Sequence, residues 1–272
     1  MKWYFARRLM LNRVEATRLG GASRHEVGAS TLLLHPTLPA ASWNFAVDFD
    51  TDSAGLERQV RRVEEEFHKA KRWPAVLTGP YDRPHDLGER LGALGYMAEA
   101  DRTIMYVEEK PSIKADAPEG LEIAIADDAT VDECVQIAVQ RFGWPYEWAK
   151  SLRRAALAGM ERGPDHYRMY YAALNGAGVA TAFTVFSAGT AGLYGMATSK
   201  DFEGQGIGRA LLSHCASETF ERGVDVMTLQ VPTGSKAERF YEGAGFKKAY
   251  VGRRWVKKKG ERRQLGAKGE EE

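Results

Sequence analysis

One stretch constrains this chain more than any other: Gly192-LYGMATSKDFEGQGIGRALLSHC. A β-rich run enters a loop holding Gly204, Gly206 and Gly208, and a helical pattern opens there at once. Glycine lets a backbone turn tightly and approach a ligand without a side-chain clash. The free N–H groups in the first turn of a helix, at its positive dipole end, suit phosphate oxygens. The spacing therefore predicts a strand–loop–helix that cradles a phosphate or pyrophosphate, against the plainer reading of a glycine-rich turn with no ligand. The ligand is neither of the two commonest. No Lys-Ser or Lys-Thr follows a glycine as a P-loop requires, and the third position of G-x-G-x-x-G falls on Arg209 or Leu211.

The rest of the second half reads as mixed α/β. Leu121-EIAI is a strand, Asp128 to Arg141 and Glu147 to Met160 are helices, and Tyr167-RMYYAAL and Val179-ATAFTVF are strands joined by the hairpin signal Asn175-Gly176. Ile207 to Arg222 is the helix after the glycine loop, followed by the strand Met227-TLQVP and a short helix and strand in Lys236-AERFYEGAGFKKAYVGRRWVKK. The first half ends in the same order. Leu56, Val60, Val63, Phe67 and Ala70 recur at helical spacing, Ala75-VLTGP is a strand, and Asp86-LGERLGALGYMAEADRTIMYVEE repeats the helix, Gly-aromatic turn and strand. Setting Gly95 on Gly245 (245 − 95 = 150) also pairs Leu91 with Tyr241 and Tyr96 with Phe246. Between the halves, Glu109 to Gly120 (EKPSIKADAPEG) is polar and proline-flanked, which is linker chemistry. These signals predict a tandem duplication: residues 1–110, a linker at 111–118, a second domain at 119–258, and a flexible tail at 259–272.

Composition bounds the function. The 272 residues are 44% hydrophobic and 28% charged with a net charge of +1, so the chain is globular and any anion site is local. That balance speaks against a nucleic-acid partner; the basic tail Arg253-RWVKKKGERR reads as a strand edge and solvated end. No window reaches the ~18 apolar residues of a membrane span, and the N-terminus lacks a signal-peptide pattern. Cys134 and Cys215 are too few for a disulfide framework or a cysteine-rich zinc site and read as buried, reduced thiols. The expected setting is cytoplasmic, with no metal and no membrane.

Glu203-GQGIG resembles the pyrophosphate motif [RQ]-x-x-G-x-[GA] of the GNAT superfamily of acyl-CoA-dependent N-acetyltransferases, matching it at Gly206 and Gly208. Gly234-SKAERFYEGAGF resembles the second family motif at Ala237, Tyr241, Glu242, Gly245 and Phe246. Two positions depart: Glu203 replaces the usual Arg or Gln, and Gly234 replaces Asn. The element order extends the resemblance over Leu121 to Lys258. It implies a fold of class α/β (α+β), two GNAT-like domains each with a mixed, mainly antiparallel twisted sheet flanked by helices, and acetyl-CoA as co-substrate. By the same resemblance, Met196, Ala197 and Thr198 offer backbone groups to the pantetheine arm and the thioester. Gln205, Gly206, Ile207, Gly208 and Arg209 hold the pyrophosphate, and Tyr241 is the acid that protonates the departing thiolate.

The general base has no family position in this sequence; Asp165, His166 and Glu147 are candidates through water. Phe142-GWPYEWAK offers Phe142, Trp144, Tyr146 and Trp148 either as an aromatic wall for an amine or as helix packing. In the first half, the acidic Asp48-FDTDS stands before the helix at Leu56, and Leu91 stands opposite Tyr241, so that copy reads as degenerate. The expected activity is acetyl transfer to the primary amine of a small molecule, by a monomer or homodimer. A protein or peptide acceptor, or an acyl-CoA-binding module without turnover, are the rivals.

Overall fold

The computed structural model describes residues 3–113 and 116–257; the expected tail at 259–272 and part of the expected linker lie outside the described residues. The chain opens with α1 (Trp3–Leu19), then the short strands β1 (Ser23–Glu26), β2 (Thr31–Leu34) and β3 (Phe45–Val47). There follow α2 (Leu56–Lys69), β4 (Ala75–Thr78), α3 (Leu87–Ala93), β5 (Tyr96–Ala98) and β6 (Arg102–Val107). After the linker come β7 (Leu121–Ile125), α4 (Val131–Phe142), α5 (Ala149–Glu161), β8 (Tyr167–Leu174), β9 (Ala177–Ser187) and β10 (Thr190–Thr198). The last elements are α6 (Ile207–Glu221), β11 (Val226–Pro232), α7 (Lys236–Gly243) and β12 (Lys247–Lys257).

The amphipathic spacing in α2 has the consequence it predicts. Leu56, Val60, Val63 and Phe67 are all buried, each contributing ~1.5–3 kcal/mol of transfer free energy, against Leu32, Ala46, Val76, Leu87 and Leu91. In the second half, Ile207, Leu211, Leu212 and Cys215 of α6 bury against Leu193, Met227, Leu229 and Tyr241. Asn175-Gly176 closes the β8–β9 hairpin, where Leu174 faces Ala177.

The strands form one mixed, mainly antiparallel sheet in the order β1-β2-β3-β4-β12-β6-β11-β10-β9-β8-β7, with β5 on the end of β12. Two neighbouring pairs are parallel, β3 with β4 and β10 with β11, and each is bridged by one helix, α2 or α6. The halves interleave at the centre. β6, which precedes the linker, lies between β11 and β12 from the second half, and β12 lies between β6 and β4 from the first. Met105 and Val107 of β6 join the core under α6 and α7, while Ile104 packs on the other face against Leu9 of α1. α1 lies across that second face. Asn12 donates to the carbonyls of Val185 (2.9 Å) and Thr190 (3.2 Å) and accepts from the Tyr194 hydroxyl (2.7 Å).

Candidate acyl-donor and acceptor site

The parallel ladder of β10 and β11 pairs Thr190 with Val226, Ala191 with Met227 and Gly192 with Thr228, and stops there, although the strands continue to Thr198 and Pro232. Beyond that point the two arms are unpaired, which leaves a gap in the ladder. A bulge helps to aim the left arm: the β9–β10 register shifts between Tyr194 and Ala197, with Gly195 at φ +58°. A side chain there would be strained, and its Cβ would sit 2.8 Å from the Phe183 ring. The bulge leaves Gly195 and Met196 outside the β9 register, which resumes at Ala197 opposite Thr181, so the backbone of Met196 is what the arm can offer to an extended ligand.

Tyr241 faces this arm from α7. Its ring is buried, edge-on to Phe240 and Phe246, and its hydroxyl reaches across the gap to Met196 Sδ at 3.3 Å. Burial first, and the neighbouring Cys215 second, raise its pKa well above the ordinary tyrosine value. The phenol is therefore neutral and keeps its proton throughout the physiological range. A protonated phenol can donate a hydrogen bond to a group that gains negative charge and share its proton as that charge develops.

At the open end of the gap, Gly206 caps α6 with φ +82°, and the first intrahelical bond, from the Ala210 N–H to the Gly206 carbonyl, measures 3.0 Å. The N–H groups of Ile207, Gly208 and Arg209 belong to the first turn and have no partner four residues back. Ile207 anchors the turn by burying its side chain in the core. Gly208 lies against the strand arm: a Cβ there would come 3.5 Å from Thr198 Oγ1 and 3.7 Å from Met196. Gln205 Nε2 donates to the Asp201 carbonyl at 3.3 Å, and Arg209 lies over the Phe240 ring at 5.7 Å. The structure thus brings Met196, Thr198, Gly206, Gly208, Arg209 and Tyr241 around one gap. The linker returns here as well, since a Cβ on Gly206 would run into the backbone carbonyl of Asp116.

The two departures from the family pattern are accommodated locally. Glu203 turns to Arg141 at the end of α4, with 3.0 Å between the charges, so its carboxylate is balanced by an arginine that nothing in the motif signals. Gly234, at φ +74°, gives its N–H to Glu238. Glu238 also accepts from Thr103 of β6 (3.1 Å) and pairs with Lys248 (2.7 Å), while Ser235 caps α7 by accepting from the Glu238 N–H at 3.1 Å. These partners, Lys248 foremost, hold the Glu238 carboxyl below the usual range.

Of the candidate bases, Asp165 pairs with Arg222 (2.6 Å) just beyond the C-terminal end of α6, and His166 is its neighbour. The 15-residue helix puts both about 20 Å from its glycine cap. Glu147 lies in the 3-10 turn Tyr146–Trp148 that links α4 to α5, beyond the end of α4 that meets Glu203. The aromatic run divides. Trp144 and Trp148 pack with Leu38, Val135, Val139 and Trp43, whereas Phe142 and Tyr146 are exposed.

The equivalent place in the first half is shut. Beyond the Ala46–Val76 pair, the chain after β3 stays joined to the chain after β4: Arg83 N–H donates to the Phe49 carbonyl (2.7 Å) and Thr51 N–H to the Arg83 carbonyl (3.3 Å). Asp82, buried and raised to about 8 by burial, accepts from the Phe49 N–H at 3.0 Å. Asp52 takes the Gly55 N–H at 2.6 Å just before α2. No gap opens between these described strands, and Leu91, which the sequence alignment sets opposite Tyr241, is fully buried. Two cavities of about 460 and 630 Å³ open on the first half, and neither is lined by a residue of the β10–β11 gap.

Residues 165–248 match the family model for the acetyltransferase (GNAT) domain, which spans β8 to the start of β12. A ribosomal protein bS18-alanine N-acetyltransferase of Escherichia coli K12 is 34% identical over 92 residues, covering 34% of this chain and 62% of the relative; the Shigella flexneri protein matches equally. The chain thus spans under two thirds of the length of these curated relatives. Among solved structures, a GCN5-related N-acetyltransferase from Kribbella flavida superposes with a TM-score of 0.71 at 19% identity, over 92% of this chain and 96% of that one. A tandem GNAT protein from the clavulanic acid biosynthesis pathway superposes with a TM-score of 0.61 at 15% identity, over 87% and 80%. At these identities the two structures establish a shared fold.

Proposed function

We propose that the chain, whose residues 165–248 match the acetyltransferase (GNAT) domain model, transfers acetyl from acetyl-CoA to the primary amine of a small molecule, by direct attack. The observation that carries this reading is the β10–β11 gap, with the glycine-capped helix at its open end and the Tyr241 hydroxyl 3.3 Å from Met196 across it.

Acetyl-CoA supplies the thioester. The N–H groups from Gln205 to Arg209 would take its pyrophosphate, and Met196, Ala197 and Thr198 would face the pantetheine arm. A backbone N–H at the bulge would meet the oxyanion, an interaction often worth ~3 kcal/mol. Tyr241 would hold the proton that the departing thiolate needs. The joined strands and the missing tyrosine support a single active half, with the first half a related copy that completes the acceptor side. Two free, buried cysteines support a reducing, cytoplasmic setting. The bS18-alanine acetyltransferases keep a second acceptor in play, a protein N-terminus.

The test is thiol release from acetyl-CoA over a panel of small amines and of peptides with free N-termini. Release with small amines supports the reading, release with peptides alone favours the second acceptor, and acetyl-CoA binding without release under any amine removes the enzyme. Tyr241→Phe is expected to lower kcat by about 10²-fold or more while the Kd for acetyl-CoA stays within a few-fold. Unchanged kcat removes the acid role.

A further inference from the structure

Three arginines from three separate elements meet on the α1 face of the sheet, where the two halves join. Arg13 comes from α1, Arg102 opens β6 and Arg254 lies on β12. Strand alternation places them. Arg102 shares its face with Ile104, which packs on Leu9 of α1, and Arg254 shares its face with Val256, which packs with the α1 cluster. Arg102 is in register with Gly252, so Arg254, two residues along β12, is its diagonal neighbour on that face. Burial above all, and the neighbouring arginines with it, disfavour the charge on Arg13 and on Arg102, against support from Tyr194 and Glu99 respectively that is smaller than the burial cost.

Counter-charge is short. Glu99 binds Arg254, with Nε to Oε2 at 2.5 Å. Arg13 has no carboxylate partner among the described residues. Its guanidinium lies between the rings of Phe45 and Tyr194, 5.8 Å from each, and one Nη donates to the Ser42 carbonyl at 2.9 Å. Its Nε is closed off from solvent and has no hydrogen-bond partner. Ring faces and one carbonyl compensate a desolvated cation only in part. Arg102, by contrast, is exposed. The cluster therefore combines an exposed guanidinium with a buried N–H still lacking a partner.

Its position relative to the gap decides what it can serve. Arg102 is in register with Pro232, the last residue of the β11 arm, and Arg13 lies on Tyr194, at the base of the β10 bulge. The cluster thus touches both arms. It does so from the α1 face, whereas the pyrophosphate cradle and Tyr241 belong to α6 and α7 on the other. The anion that these arginines would meet is not the cofactor's; it arrives with the acceptor.

We propose that the acceptor amine carries a carboxylate, and that Arg13, Arg102 and Arg254 hold it while the amine enters the β10–β11 gap. The planar guanidinium fork matches a carboxylate in two parallel hydrogen bonds. The class is thus an amino acid or a similar amino-carboxylate. This rests on the acetyltransferase reading and deepens it by naming the substrate class.

The experiment offers the full-length protein acetyl-CoA and matched sets of amines: free amino acids, their amides and their decarboxylated amines, across a range of side chains, with CoA release as the readout. The carboxylate member of a productive set is expected to show at least a tenfold higher kcat/KM. Arg102→Gln and Arg254→Gln should each collapse that preference through the KM of the amine while the KM of acetyl-CoA holds. Equal rates within sets, or faster turnover of the amide or decarboxylated member, overturn the inference. If no amine releases CoA, the enzyme reading fails, and the anion site is read by itself from citrate binding by calorimetry in the presence of CoA. Binding to the wild type that the Arg102→Gln, Arg254→Gln double variant loses upholds the site, and no binding to the wild type overturns it.

Discussion

Two glycines two positions apart do different work at the start of α6. Gly206 has φ +82°, a conformation that costs an L-residue ~1–2 kcal/mol, and it abuts the Asp116 carbonyl. Gly208 is already inside the helix, and its hypothetical Cβ meets only ordinary contacts. Gly206→Ala is therefore expected to lower the thermal unfolding midpoint as well as the acetyl-CoA affinity. Gly208→Ala should leave the midpoint unchanged or slightly raised, because alanine is the better helix former, and yet weaken acetyl-CoA binding by crowding the ligand's approach. Melting curves and calorimetry on both variants check this; a Gly208→Ala protein of unchanged affinity would show that the ligand keeps its distance from that turn. The strand–loop–helix around both glycines was legible in the sequence, since its chemistry is local. What each glycine is for was not, because φ and the approach of Asp116 are tertiary facts. The balance at Glu203 was equally hidden: Arg141 lies 62 positions earlier, and no spacing rule connects them.

At the scale of elements, α2, β4, α3 and the strands and helices from β7 onward follow their periodicity, whereas α1 and the strands β1 to β3 escaped the pattern. The strands have three or four residues each, too few for alternation to register. α1 is read poorly because it packs across the junction, with Asn12 and Thr17 among its buried positions, so its covered face is not purely apolar. Asn12 concentrates that role. Asn12→Ala would take a side-chain donor from the Val185 and Thr190 carbonyls and the acceptor from the buried Tyr194 hydroxyl. An expected loss of about 1–3 kcal/mol follows from stranding buried polar groups. Chemical denaturation of Asn12→Ala, Tyr194→Phe and the double variant checks it as a cycle. Additive losses would mean that the 2.7 Å contact contributes nothing of its own, whereas coupling of 0.5 kcal/mol or more assigns the clamp to that pair.

On the scale of the whole molecule, the linker at residues 111–118 invites a cut that the sheet resists. A chain beginning at residue 119 keeps the whole stretch that matches the acetyltransferase (GNAT) family model, residues 165–248, but loses β6. It then lacks the six-residue ladder on β11, from Met227–Val107 to Pro232–Arg102, and the pairing that holds β12 beside it. Met105 and Val107 leave the core, Thr103 leaves Glu238, and α1 leaves the faces of β9 and β10. At ~1.5–3 kcal/mol for each buried apolar side chain, against a typical domain stability of ~5–15 kcal/mol, those losses consume most of the margin. Residues 119–257 alone are expected to be insoluble or to melt without a cooperative transition. Starting instead at Arg102, which restores β6 through the native linker, should recover a cooperative transition at a lower midpoint than the full chain, because α1 is still missing. Circular dichroism melts of the three lengths decide it. If residues 119–257 melt cooperatively at the full-length midpoint, the interleaved strands are decoration and the second half folds alone. If only chains containing β6 melt cooperatively, the two halves are one folding unit, because β6 of the first is inserted between β11 and β12 of the second.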